Sequence, residues 1–85
     1  MAHPVTGLIR EAKEAFPENR AIRGLHEQPR ELAELTAALH REVERYSFKA
    51  GAVLQATSIE QLHPQAERLQ VAENLHQRAV DLKRR

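Results

Sequence analysis

The 85-residue chain has no cysteine and no tryptophan, one tyrosine and two phenylalanines. Without cysteine there is no disulfide, no thiol nucleophile and no thiolate ligand for a metal. Aspartate occurs once, at Asp81, and glycine only three times. No glycine-rich phosphate loop and no G-x-S-x-G nucleophile turn can be assembled from this inventory. Long apolar runs are absent too. The longest stretch without Asp, Glu, Lys or Arg in the apolar half is Ala50–Ile59, too short to cross a bilayer. Near the N-terminus Arg10, Glu11, Lys13 and Glu14 interrupt any apolar core of a signal peptide. The expectation is a cytoplasmic protein with no membrane partner.

Charge of one sign is also missing. Thirteen Lys and Arg face twelve Asp and Glu, and no basic stripe of the kind that follows a nucleic-acid backbone runs through the chain. The single cluster, Lys83-Arg84-Arg85, is explained by a helix C-terminus, where cations complement the dipole.

What the chain does have is alanine, thirteen residues of it, and twenty Leu, Ile, Val and Phe. Many small apolar side chains and few aromatics suit closely packed helices better than a sheet sandwich. A domain this short has a thin core, and a thin core without disulfides often needs a partner or a second copy to complete it.

Val5, Leu8, Ile9, Ala12 and Phe16 follow helical spacing. Pro17 ends that helix, since the residue before proline is pushed out of the α region. A first helix is therefore expected at about 5–15. The segment "PENRAIRGLHEQP", residues 17–28 with Pro29, reads as a loose connection anchored by Ile22 and Leu25. Pro29 suits the first turn of a second helix. Its apolar stripe runs Leu32, Leu35, Leu39, Val43, Tyr46, Ala50, Leu54, Thr57. The spacing is an eleven-residue repeat, which predicts a straight or slightly right-handed pairing instead of a leucine zipper. Ser47 and Gly51 give this helix a small edge. Thr57 with Glu60, or Ser58 with Gln61, is a capping box. Pro64 then favours a short turn followed by a helix at about 64–83.

The predicted fold is one all-α domain over residues 1–85. Helices at about 29–56 and 64–83 form an antiparallel hairpin, and the shorter helix at 5–15 packs across it. The third helix carries two apolar rows. One is Leu62, Ala66, Leu69 and Val80, with Glu73 and His76 among them; the other is Val71, Ala72, Leu75, Ala79 and Leu82. One row serves the hairpin. The other is left for the first helix or for a second subunit.

The pattern Glu-x-x-His occurs twice, at Glu60–His63 and Glu73–His76. On helices this spacing builds carboxylate metal sites. With eleven Glu and five His, chance alone gives about 0.6 such patterns. Glu60 is accounted for as a cap. Glu73 and His76 lie on the packing row opposite residues 44–47, where Tyr46 and Ser47 are expected to satisfy them. A metal set of His40, Glu44, Glu73 and His76 is the alternative, and no cofactor is called for.

Phe48 falls opposite the main stripe of the second helix, with Arg41, Arg45 and Ala52 nearby. An aromatic on a polar face is a candidate partner anchor, unless the first helix packs over it. The expected partner-contacting residues are thus Phe48, Arg41, Arg45 and Ala52 on the second helix and Val71, Leu75 and Leu82 on the third. No nucleophile with its base is apparent, and pairs such as Arg10–Glu14, His40–Glu44 and Asp81–Arg85 read as surface helix pairs. The function expected is a non-enzymatic helical interaction module: an adaptor, co-chaperone or assembly subunit, or a homodimer. The alternatives are a metal-binding bundle subunit and a nucleic-acid-binding regulator using Arg41, Arg45, Lys49 and the basic tail.

Overall fold

The computed structural model describes residues 3–55 and 59–85, with side chains outside 53–62. It contains α1 (Pro4–Ala15), α2 (Arg20–Arg23), α3 (Leu32–Gln55) and α4 (Ile59–Lys83), with a 3₁₀ turn at Pro29–Glu31 leading into α3. There is no strand among the described residues. Helices α3 and α4 form the expected hairpin, and α1 packs across it. The capping boxes at residues 57–61, and Leu54, Thr57 and Leu62 of the apolar rows, lie outside the described side chains.

Helix α1 begins with Pro4 at its first position, where a missing N–H costs nothing. His3 caps it, its Nδ1 accepting from the Val5 N–H at 3.1 Å. Val5, Leu8, Ile9 and Ala12 form its buried face. Phe16 follows as the last buried residue before Pro17.

The connection that follows is packed. Asn19 caps the four-residue α2, its Oδ1 accepting from Ile22 N–H at 3.0 Å. Ile22 and Leu25 are buried in the common core.

Helix α4 departs from expectation in two ways. It runs continuously through Pro64 instead of starting there. A proline at the sixth position removes one intrahelical bond, and Pro64 is exposed, so water can serve the freed carbonyl. The packed arc is also rotated, by roughly a quarter turn, from the row headed by Leu62 and Leu69. Ala72, Leu75 and Ala79 are its buried centre, while Leu69, His76, Val80 and Leu82 are half-buried at its edges. The reason is that α4 touches both α3 and α1. The middle of an arc shared by two neighbours is crowded, and alanine lets both backbones approach.

Helix α3 shows the same widening. Leu35, Leu39 and Tyr46 of the predicted stripe are buried, but so are Ala38 and Glu42 one row over. The small edge at Ser47 and Gly51 is exposed. A Cβ at Gly51 would meet nothing within 4 Å, so no close approach within the chain uses it.

Candidate interaction face

Two polar assemblies decide which surface stays open. The first is centred on Arg68 of α4. Its Nη1 donates to the Ala15 carbonyl at 2.6 Å, one of the α1 acceptors with no partner inside the helix. Its Nε and Nη2 donate to the Tyr46 hydroxyl at 3.3 and 3.2 Å, and Nη2 also bonds Glu18. The guanidinium lies 4.6 Å from the Phe16 ring centroid and 5.2 Å from that of Tyr46. The two rings are 6.2 Å apart. One planar cation thus fastens the end of α1 to α3 and α4 through hydrogen bonds and ring faces at once.

The second is Glu42, a carboxylate with 0% exposure. Its Oε1 accepts from Asn19 Nδ2 at 2.6 Å and lies 3.5 Å from Arg45 Nη1. Its Oε2 has no hydrogen-bond partner among the described residues. The Asn19 amide therefore works twice: its oxygen caps α2 and its nitrogen holds α3. Sequence reading missed both assemblies. The available signal was Ala38, which forms a second inward row with Glu42 at i+4.

These clasps end the three-helix region at Phe16, Tyr46 and Arg68. Phe48 lies just beyond and is 79% exposed. The alternative in which α1 packs over Phe48 does not hold: α1 reaches Tyr46 through Phe16, on the inner side of α3. Arg41, Glu44, Arg45, Phe48 and Lys49 line a shallow concavity. Ser47, Phe48, Gly51 and Ala52 line another. Lys49 reaches over the Tyr46 ring at 5.2 Å. Phe48, Arg41, Arg45 and Ala52 thus share one open face.

The candidates on α4 do not join them. Leu75 is 6% exposed and belongs to the core, so it is withdrawn as a contact residue. Leu82 is half-buried against that core. Val71 remains at the surface, 39% exposed, on a different helix from the Phe48 face. The second row, expected to meet the first helix or a second subunit, is the one that α1 and α3 share.

The expected partners of Glu73 and His76 are also corrected. Tyr46 serves Arg68, and Ser47 and Glu73 are exposed. His76 is half-buried beside His40, ring centroids 5.5 Å apart. Desolvation, and next the His40 charge, hold its pKa below the usual imidazole value. His40 pairs with Glu44 at 3.0 Å. Among the described residues no three His, Asp or Glu side chains come together to hold a metal. The set His40, Glu44, Glu73, His76 is therefore not assembled, because Glu73 turns to solvent with the rotation of α4.

Surface ion pairs also differ from sequence spacing. Arg10 reaches across to Glu27 at 3.1 Å instead of pairing with Glu14. Arg78 holds Glu11 through two bonds of 3.0 and 2.5 Å. The Arg78 hydrogen bond keeps the Glu11 carboxyl below its ordinary pKa, as Arg10 does for Glu27. No helix among the described residues is long and apolar enough to cross a membrane. No protein-family model, curated protein or solved structure matches the chain.

Proposed function

We propose that the chain is a non-enzymatic helical interaction module, an adaptor, co-chaperone or assembly subunit, working in the cytoplasm through the outer face of α3. The observation that carries this reading is Phe48. A phenylalanine left 79% exposed lies between two concavities and beside Arg41 and Arg45, a combination of side chain and shape that suits an interface anchor. Aromatic and arginine side chains are also the residues that most often carry binding energy at interfaces. The absence of cysteine fits a reducing compartment.

The test is capture by immobilised full chain from extract of the source cells, comparing the natural protein with Phe48→Ser and reading the retained proteins by mass spectrometry. A partner retained by the first and lost by the second, with unchanged melting, supports the reading. Partners retained equally by both would remove the Phe48 face from it.

A further inference from the structure

Arg41 and Arg45 border two concavities at once. One is completed by Glu44, Phe48 and Lys49 of α3. The other lies between α3 and α2, where Arg20 stands across from them. Four cations thus line two adjoining hollows. Two surface carboxylates share the rim, and both are engaged: Glu44 lies 3.0 Å from His40 Nε2, and Glu18 bonds Arg68. Among the described residues Arg20, Arg41 and Lys49 enter no ion pair. Arg45 reaches the buried Glu42 with one nitrogen at 3.5 Å, and its side chain is 51% exposed, so donors remain for a second carboxylate. The arrangement is one-sided. At about 100° per residue, Arg41, Arg45 and Lys49 follow one another on one side of Phe48, and Glu44, Ser47 and Gly51 fall on the other. A ligand lying along the cation row, about 12 Å long, therefore reaches Phe48 without crossing Glu44.

We propose that an acidic segment of another protein covers this face, its carboxylates on Arg20, Arg41, Arg45 and Lys49 and one apolar side chain against Phe48. This rests on the reading of the Phe48 face as a binding surface and names the chemistry of its occupant. Guanidinium groups grip carboxylates through two parallel hydrogen bonds, and Phe48 supplies the apolar anchor that charge alone lacks. A nucleic acid or an anionic bilayer fits less well, since each is charged far beyond a patch of this length. The four cations are among thirteen Lys and Arg in a chain with twelve Asp and Glu. The rest of the chain is therefore net acidic and repels an extended polyanion. A short acidic segment needs only the patch.

A display library of random peptides, selected on the immobilised full chain, reads the preference. Retained peptides should be rich in Asp and Glu around an aromatic or aliphatic residue, and their binding should weaken as salt is raised. For the same peptides made synthetically, Arg41→Glu should weaken binding by about tenfold or more, and Arg20→Glu by less. Phe48→Ser should also cost about tenfold. All three variants should melt as the natural chain does, because these side chains are exposed. Peptides with Asp and Glu replaced by Lys should bind the Arg20→Glu, Arg41→Glu double variant better than the natural chain. An empty selection overturns the proposal, as do retained peptides with no acidic excess or indifferent to Arg41→Glu. If Phe48→Ser still releases such peptides, the acidic occupant falls and the interaction module stands; if it does not, the Phe48 face falls with it. Oligothymidylate bound more tightly than the peptides at the same salt, and lost on Arg41→Glu, overturns the proposal in favour of nucleic acid. Self-association of the chain abolished by Arg41→Glu overturns it in favour of a second copy.

Discussion

The two halves of the hairpin are built from the same two helices and behave differently. In the half away from the turn, α1 and α2 lie against α3 and α4, and every buried residue of the described chain is found there or in α1, α2 and their connections. In the half towards the turn, none of the described side chains at 47–52 or 63–71 is buried. Two helices alone present only a line of contact, and a side chain on that line still touches water on both sides. A third helix closes one of those sides. Burial follows from the number of neighbours more than from the apolarity of the sequence, and Phe48 shows it: as apolar as Phe16, it stays exposed because it lies on the outer face of α3, while α1 packs on the inner side.

The sharpest way to break this contrast is to truncate the two phenylalanines in turn. Phe16→Ala, which empties a fully buried site, should cost about 3–5 kcal/mol, enough to unfold much of a domain this small. Thermal or urea melting measures it, and a loss no larger than that of an exposed residue would mean the three-helix half is not the source of stability. Arg68→Ala comes next. It leaves the Ala15 carbonyl and Tyr46 hydroxyl without their donor and uncovers both rings, and should cost about 1–3 kcal/mol. Arg68→Lys should recover little of it, because an ammonium cannot lie flat on two rings and reach three acceptors.

A smaller effect is expected from pH. His76 has a folded pKa below its ordinary value of 6.5, so as pH falls through 6.5 the unfolded chain binds the proton first. Stability is then lost progressively down to the lowered folded value and changes no further from this group below it. Glu11 and Glu27 act lower on the scale. Their folded pKa values are depressed from 4.5, so the stability they contribute is present above 4.5 and lost as pH falls through the folded values. Melting temperatures at about pH 7.5 and about pH 5.5, for the natural chain and His76→Gln, isolate the first effect. The variant should show the flatter profile, and equal slopes would assign the dependence elsewhere.

The smallest change is Phe48→Ser, expected within about 0.5 kcal/mol of the natural stability for the dilute monomer. A destabilisation near that of Phe16→Ala would mean the residue is packed in solution, against this account of the two halves.

Much of the fold was legible in the residues. Pro17 marked the end of α1, Pro29 the approach to α3, and the 3- and 4-residue spacing from Leu32 to Tyr46 the inner face of that helix. The open face was legible in part: Phe48, Arg41, Arg45 and Ala52 sit together, whereas Leu75 is in the core. That error has one cause. A helical wheel ranks faces by apolarity, but α4 turns its alanines towards two neighbours at once, and the wheel does not know how many neighbours there are. The same rotation carried Glu73 to the surface and left His76 beside His40.

Arg68 and Glu42 were not legible at all. Each satisfies groups far away in sequence, Ala15 and Glu18 for the one and Asn19 for the other, and no local pattern announces such a bond. By itself the sequence determined an all-α chain, the positions of its principal breaks and the exclusion of thiol chemistry, because these depend on residue type and short-range spacing. Only the tertiary structure decided which side of α4 is inside, which charges are buried and where the cover of α1 stops, because each of these depends on which helices meet. Phe48 stands where those two kinds of information join: its place on the outer face was a matter of spacing, and its exposure a matter of which side of α3 the helix α1 packs on.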